Sequence, residues 1–222
     1  MYSVIIRIRN EERYIGHAIQ SCIDFVENPE IIIVNDHSTD KSLYICRLFI
    51  ANKNLEKKPN SNYCNLKIID LKAYTPGKAL NLGVKKCTNE NIIILSSHCS
   101  INKFEKSLIK KNLDEYGVLF GNQIPYYYGK RMSKDYIWSN FVEKENINMW
   151  SESENRYFFH NAASIFKKEI LVKNPFDEEL AGKEDRYWAN NWISKKNKIL
   201  YQPAFEVNHF YTSEGNTWKG IG

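Results

Sequence analysis

The chain has 222 residues, of which 43% are hydrophobic and 26% charged, and its formal net charge is +5. This length suits one domain with a sizeable core, and the balance is that of a soluble globular protein. No apolar run reaches the roughly 18 residues that a membrane-spanning helix needs, and the N-terminus lacks the layout of a signal peptide.

Cysteine usage and charge suggest a location and exclude some partners. The five cysteines are scattered without paired spacing, which predicts neither a disulfide framework nor a zinc site and favours a reducing cytoplasm. Small lysine clusters lie at Lys57-Lys58, Lys110-Lys111 and Lys195-Lys196. They are compatible with solubilising charge, with a peripheral position at the inner face of an anionic membrane, or with a phosphorylated substrate. We expect no nucleic-acid partner.

Strands and helices alternate along the first half of the chain. Runs of β-branched and other apolar residues predict strands at residues 4–8, 31–34, 66–71, 92–95 and 118–121. Helical spacing predicts one helix opened by Asn10-Glu11-Glu12, one capped by Asp40, one over residues 79–86, and one capped by Asn102 that holds Phe104. Residues 56–65 predict a loop. The alternation predicts an α/β fold with a mainly parallel central sheet and helices on both faces.

A polar segment, Asn35-Asp-His-Ser-Thr-Asp40, follows directly on the second predicted strand. Open α/β sheets bind ligands at the carboxyl ends of their strands. Asp36 is therefore a candidate anchor that accepts a hydrogen bond from a ligand. Ser38 and Asp40 are explained equally well as turn and helix-capping residues.

Other predicted strands also end in polar groups at this edge. The first leads to Arg7, Arg9, Asn10 and Glu11, the third to Thr75-Pro-Gly-Lys78, and the fourth to Ser96-Ser-His-Cys99. Gly77 lets the backbone approach a ligand closely, and Lys78 adds positive charge at a helix start, where phosphate oxygens bind. The chain has no Walker-type phosphate loop and no Gly-x-Gly-x-x-Gly, which argues against ATPase and dinucleotide-binding classes.

Together these motifs resemble those of family 2 glycosyltransferases with the GT-A fold. They occur in the family's order, and the resemblance extends from Ser3 to about Trp218. The matching segments are Val4-Ile-Ile-Arg-Ile-Arg-Asn-Glu11, Val34-Asn-Asp-His-Ser-Thr-Asp40, Gly77-Lys-Ala-Leu-Asn-Leu-Gly83, residues 92–96, and Gly182-Lys-Glu-Asp185 with Trp188 nearby.

The resemblance implies roles for individual residues. Asp36 matches the carboxylate that reads the nucleotide base, and Asp185 matches the catalytic base, with Glu184 beside it. Acidic pairs are also favoured at helix starts by the helix dipole alone. The expected nucleotide-sugar site comprises Arg9, Glu11, Asp36, Ser38, Gly77, Lys78, Asn81, Ser96, Ser97 and His98.

Ser96-Ser97-His98 departs from the family, which usually carries Asp-x-Asp here to hold a divalent metal. Two interpretations stay open. His98 and His209 hold Mn²⁺ or Mg²⁺ more weakly, since imidazole is a metal ligand. Alternatively no metal binds, and His98, His209 and Lys78 supply hydrogen bonds or charge to the leaving diphosphate.

The function implied is inverting transfer of a hexosyl or deoxyhexosyl group. The donor is a UDP- or dTDP-sugar, and the acceptor is a hydroxyl of a glycan or lipid-linked molecule in cell-surface polysaccharide synthesis. One domain is expected, with a nucleotide-binding half over residues 1–122 and an acceptor-binding and catalytic half over residues 123–222. His160, Trp138 and Trp150 are candidates for sugar contact or for core packing. The alternatives are a non-catalytic nucleotide-sugar-binding module and a nucleotidyltransferase on a related fold.

Overall fold

The computed structural model describes residues 1–51, 65–213 and 215. Its strands are β1 (Tyr2–Ile8), β2 (Glu30–Asn35), β3 (Asn65–Asp70), β4 (Asn91–Ser96), β5 (Cys99–Phe104), β6 (Val118–Tyr127), β7 (Lys130–Arg131), β8 (Asn146–Ile147), β9 (Trp150–Ser151), β10 (Arg156–Tyr157), β11 (Ala163–Lys167) and β12 (Leu200–Phe210). Its helices are α1 (Ile15–Phe25), α2 (Ser42–Ala51), α3 (Pro76–Lys86), α4 (Lys106–Tyr116), α5 (Lys168–Lys173) and α6 (Glu184–Ser194), with a 3₁₀ helix at Tyr136–Asn140. The predicted loop at residues 56–65 lies outside the described residues except for Asn65.

A central sheet with strand order β3-β2-β1-β4-β11-β6-β12-β5 organises the chain. The first four strands in this order are parallel to one another. β11 runs antiparallel to both of its neighbours, β12 is parallel to β6, and β5 is antiparallel to β12. The predicted α/β class is confirmed. The parallel arrangement holds for β1 to β4, whereas the part of the sheet formed by β5, β6, β11 and β12 is mixed.

Alternation along β1 explains why helices cover both sheet faces. Val4 and Ile6 belong to the hydrophobic cluster that contains α1, whereas Ile5 belongs to the cluster that contains α3. Successive strand side chains point to opposite faces, so an uninterrupted apolar strand needs a core on each side. Among the aromatic candidates, Trp138 is buried in the second cluster, while Trp150 is exposed and packs edge-on against Tyr157.

Residues 99–104 form a strand, so the predicted start of the helix at Asn102 is wrong. The side chains of Cys99, Ile101 and Phe104 are buried in this segment while those between them are more exposed, and β5 pairs with β12. The helix begins only at Lys106. The long-range strand pairing therefore overrides the local helical pattern, as tertiary context often does.

The acidic pair Glu11-Glu12 also differs from the prediction, because α1 begins only at Ile15. Glu12 instead accepts a hydrogen bond from Lys41 N at 2.8 Å, and its own N–H donates to Asp40 Oδ2 at 2.9 Å. These bonds tie the loop after β1 to the start of α2.

The segment after α5 is fastened to α3. The Asn81 side chain donates to Phe176 O and Glu178 Oε1, both at 2.9 Å, and accepts from Phe176 N at 3.0 Å. A Cβ added at Gly77 would lie 2.0 Å from the carbonyl oxygen of Asp177. Gly77 and Asn81 therefore hold the chain that leads into α6.

In the described part of the chain, no helix combines the length and apolar character needed to cross a membrane. None of its cysteines, Cys22, Cys46, Cys87 and Cys99, forms a disulfide, and all of them are buried.

We predict that Gly77→Ala lowers the free energy of unfolding by about 1–3 kcal/mol, because the new methyl group has no room beside Asp177. Urea unfolding followed by circular dichroism measures the loss. Gly16→Ala is the matched control, since its Cβ would meet Ile45 at an ordinary 3.4 Å and alanine is a better helix former than glycine. Equal stability of the two variants would contradict the close packing of α3 on Asp177.

Candidate active site

A cavity of about 730 Å³ opens at the carboxyl ends of β1, β2 and β4. The start of α6 and the 3₁₀ helix form its other walls. Eight of the predicted site residues line it: Arg9, Glu11, Asp36, Ser96, Ser97, His98, Glu184 and Asp185. The tertiary structure thus brings the proposed nucleotide-binding and catalytic residues into one cavity, although they lie up to about 175 positions apart in sequence. They can meet because the carboxyl ends of parallel strands lie at the same edge of the sheet.

Five other predicted residues lie outside this lining: Ser38, Gly77, Lys78, Asn81 and His209. Ser38 supports a loop, since its hydroxyl accepts from Asn10 N at 3.2 Å. The backbone N–H of Lys78 donates to the helix-capping hydroxyl of Thr75. Asn81 and Gly77 contact the chain before α6, as described above.

Asp36 lies at the tip of β2 with its carboxylate almost fully buried. Its backbone N–H donates to Ile8 O at 2.9 Å, which extends the pairing of β1 and β2 by one residue. Arg9 Nη1 lies 3.2 Å from Asp36 Oδ2, and the Arg9 side chain is 70% exposed. An exposed partner contributes little stability and is easily displaced, so Asp36 can exchange this contact for one with a ligand.

The Glu11 loop is held in place by backbone hydrogen bonds to short polar side chains. Glu11 N donates to Ser42 Oγ at 2.7 Å, and Thr39 N donates to Asn10 Oδ1 at 2.8 Å. Burial pushes the pKa of Asp40 upward, but hydrogen bonds from Ser42 and Glu12 outweigh it and bring the pKa below its usual value. Asp40 is therefore ionised at neutral pH, and its charge strengthens the contact between the two loops.

Glu11 and His98 form a pair on the cavity wall. Glu11 Oε1 lies 2.9 Å from His98 Nδ1, and both side chains are mostly buried. The His98 ring lies 4.9 Å from the ring of His209. Because Nδ1 contacts the carboxylate, the remaining ring nitrogen of His98 is the one that can serve a ligand.

His209 lies behind His98 and is fully buried. Burial, with added repulsion from His98 and His160, lowers its pKa well below the usual value, so the ring is neutral at neutral pH. Gln123 accepts from His209 Nδ1 at 2.8 Å and donates to His160 Nδ1 at 3.1 Å. The directions of these two hydrogen bonds follow because an amide oxygen only accepts and an amide nitrogen only donates.

The donor set near His98 does not fit a divalent metal. Over residues 1–51, 65–213 and 215, no group of three or more His, Cys, Asp or Glu side chains is arranged to hold a metal ion. Ser96 and Ser97 supply neutral hydroxyls where carboxylates are expected, and the carboxylate next to His98, that of Glu11, already contacts His98 Nδ1. No chemical step is therefore assigned to a metal.

The two acidic residues that begin α6 have different surroundings. Glu184 Oε1 accepts from Arg7 Nη1 at 2.9 Å and from Asn161 Nδ2 at 3.3 Å. This mostly buried ion pair joins α6 to β1. Glu184 is thereby held as a charged anchor, since removing either partner would leave a buried charge without compensation.

Asp185 faces the cavity with its carboxylate oriented by the backbone. Oδ2 accepts from Asn161 N at 3.3 Å, and Oδ1 accepts from Arg186 N at 2.8 Å. Burial raises the pKa of Asp185, and these N–H groups together with the charges of Arg156 and Arg186 only partly offset the effect. A raised pKa makes a carboxylate a stronger base.

Sequence reasoning did not assign site roles to several residues that line the cavity. They are Arg7, Tyr136, Asn161, Lys183 and Arg186. Arg186 and Lys183 flank the acidic pair in sequence, and Arg7 belongs to the polar end of β1. His160, a candidate for sugar contact, lines the cavity, and burial together with Arg156 and Arg186 lowers its pKa to about 4.

The family described as glycosyl transferase family 2 matches residues 3–173. The chain is 27% identical over 220 residues to the minor teichoic acid biosynthesis protein GgaA of Bacillus subtilis (strain 168), which covers 95% of this chain and 47% of that protein. It is 31% identical over 107 residues to the poly(ribitol-phosphate) beta-N-acetylglucosaminyltransferase TarS of Staphylococcus aureus (strain Mu50), covering 46% of this chain and 17% of TarS. The chain thus spans less than half the length of these curated relatives.

The crystal structure of S. aureus TarS 1–349 in complex with UDP-GlcNAc shares the fold. The TM-score is 0.68 at 22% identity, covering 99% of this chain and 60% of that one. The expected GT-A fold is confirmed by this likeness. Glu184, Asp185 and His209 lie beyond the residues that the family match covers. The match over residues 3–173, on a chain whose strand tips enclose one polar cavity, shows that this protein belongs to glycosyl transferase family 2.

Proposed function

We propose that the protein transfers a sugar, with inversion, from a UDP- or dTDP-sugar to a hydroxyl of a glycan or lipid-linked acceptor. The single observation that carries this proposal is Asp185, an oriented carboxylate with a raised pKa in the same cavity as Asp36 and His98. A hydroxyl is a poor nucleophile until a base accepts its proton, and we propose Asp185 as that base.

In the proposed reaction, the acceptor oxygen attacks the anomeric carbon as Asp185 takes the hydroxyl proton. The bond from that carbon to the diphosphate oxygen breaks, and the electron pair leaves with the diphosphate. Attack on the face opposite the leaving group inverts the anomeric carbon. Backbone N–H groups of Asn161 and Arg186 keep the carboxylate in one orientation throughout, and such pre-orientation lowers the barrier.

The donor's nucleotide is proposed to lie along the tips of β1, β2 and β4. Asp36 would accept a hydrogen bond from the base, and Arg9 is exposed enough to swing from Asp36 towards a phosphate. His98 is oriented by Glu11 through Nδ1 and would present Nε2 to the leaving diphosphate, to which it donates a hydrogen bond when both ring nitrogens carry a proton. Lys78 and His209 lie outside the cavity lining and take no part in the proposed step.

Relatives suggest the setting. GgaA is named for minor teichoic acid biosynthesis, TarS is named for transfer of N-acetylglucosamine to poly(ribitol-phosphate), and a TarS structure contains UDP-GlcNAc. We propose by analogy a UDP-sugar donor and an acceptor in cell-surface glycan synthesis. A cytoplasmic location at the inner face of the membrane would suit a lipid-linked acceptor.

We expect Asp185→Asn to reduce transfer by about 10²–10⁴-fold while donor binding is retained, since an amide cannot accept the proton. Radiolabelled sugar transfer and calorimetric titration with UDP-sugar measure the two quantities. Asp24→Asn, the same change at an exposed position of α1, should leave both unchanged. Loss of donor binding in Asp185→Asn would instead show that Asp185 contacts the donor.

The pH dependence of transfer should show the raised pKa of Asp185. Only the ionised carboxylate is a base, so kcat rises as pH increases through that pKa and falls as pH decreases through it. The acid limb should therefore lie above the ordinary aspartate value of about 3.9. A kcat–pH profile checks this, and an acid limb retained in the residual activity of Asp185→Asn would assign it to another group.

A nucleotide-sugar donor should stabilise the protein without added metal, because the donor set near His98 does not suit a divalent ion. Thermal unfolding with UDP-, dTDP- and GDP-sugars, each with EDTA or with Mn²⁺, tests this through mass action. The stabilisation should survive EDTA. A shift that appears only with Mn²⁺ would show that His98 and its neighbours do hold a metal.

A further inference from the structure

Two cations line the cavity next to the proposed base. Lys183 precedes the acidic pair and Arg186 follows it, so both belong to the start of α6. A neutral hydroxyl acceptor does not require them. The charges of Arg186 and the nearby Arg156 lower the pKa of Asp185, which opposes its action as a base. Their presence therefore needs a different explanation from support of the proton transfer.

Arg186 is held in place by the β9–β10 hairpin. Arg186 Nη2 lies 3.0 Å from Glu154 Oε1, and Arg156 Nη2 lies 2.5 Å from Glu154 Oε2. Arg156 is in turn fixed by the carbonyl of Tyr157 at 2.9 Å and lies over the Phe158 ring. This arrangement positions the Arg186 guanidinium before any ligand arrives, which reduces the entropy cost of binding.

The charges at this wall leave an excess of positive charge. Glu154 is one carboxylate between two arginines, and its side chain is 5% exposed, whereas that of Arg186 is 36% exposed. Glu184 is already compensated by Arg7. Lys183 is exposed, and its backbone has a φ of +62°, an uncommon conformation for a residue other than glycine.

This excess grows during the proposed reaction. Asp185 becomes neutral when it accepts the proton of the acceptor hydroxyl. Lys183 keeps its positive charge, and the group formed by Arg186, Glu154 and Arg156 keeps its net positive charge. An anionic group on the acceptor would offset this excess positive charge of the cavity wall during the proton transfer. Guanidinium groups bind phosphate through two parallel hydrogen bonds, and an ammonium group adds a point charge.

We propose that the acceptor carries a phosphate group near the hydroxyl that reacts, and that Arg186 and Lys183 bind this phosphate. The inference rests on the proposed function and specifies its acceptor class. The phosphate takes no part in bond making; it positions the hydroxyl beside Asp185. Phosphodiesters of a polyol chain and the diphosphate of a lipid-linked sugar share this chemistry.

Calorimetric titration tests the site without turnover. The probes are a glycerol phosphate oligomer, a short-chain polyprenyl diphosphate sugar in detergent, and an uncharged oligosaccharide, each added to the full chain saturated with UDP. At least one phosphate probe should bind, and Arg186→Gln should weaken it about tenfold. Binding of the uncharged probe should not change. The phosphate probe that responds identifies the source of the phosphate.

Matched variants separate this result from general effects. Arg47→Gln makes the same charge change on the exposed face of α2 and should not alter binding. If Arg186→Gln lowers the unfolding temperature through loss of its Glu154 contact, Lys183→Gln at an exposed position should still weaken the phosphate probe.

Three results would overturn the phosphate site: equal binding of charged and uncharged probes, equal losses of affinity in the Arg186 and Arg47 variants, or a phosphate probe that binds the chain only when UDP is absent. The last result would assign these cations to the donor diphosphate. Hydrolysis of UDP-sugars by the wild-type protein is measured separately. Its absence would count against the proposed function, while the titration would still report on the phosphate site.

Discussion

The parallel pairing of β1 between β2 and β4 is the constraint on which the rest of the structure depends. Ile5 of β1 lies opposite Ile32 of β2 and Ile94 of β4, so β-branched side chains pack across three adjacent strands. Burial of such residues on both faces requires helices on both sides of the sheet. It also ends the three strands at one edge, where their polar continuations share a cavity.

Pairing between charged and polar side chains at that edge then determines how the candidate site is built. Arg7 with Glu184 joins β1 to α6, Glu11 with His98 joins the loops after β1 and β4, and Arg9 with Asp36 joins β1 to β2. Buried charges are tolerated only when they are compensated. The site residues thus support one another in the absence of a ligand. The mostly buried pair Arg7–Glu184 acts as a fixed anchor, and the exposed Arg9 is the partner that a ligand can displace most easily.

Much of the candidate site could be predicted from sequence, because open α/β sheets of many functions bind their ligands at the carboxyl ends of the strands. Asp36 and the Ser96–His98 segment line the cavity, as this rule requires, and so does the Glu184–Asp185 pair, which begins α6 and was expected from the family resemblance. The rule does not specify side-chain direction. Gly77 and Asn81 occur at a strand-to-helix junction of the expected kind, yet they contact Asp177 and Phe176, which lie about a hundred residues away.

The sequence by itself determined the alternation of strands and helices, the identity of the central strands and the polar strand ends, since periodicity and turn chemistry are local properties. Only the tertiary structure decided that residues 99–104 pair with β12 as a strand, that His209 lies behind His98, and that Arg156 and Glu154 orient Arg186. Each of these depends on contacts between residues far apart in the chain. Their free energies outweigh local preferences, and local sequence patterns do not encode them.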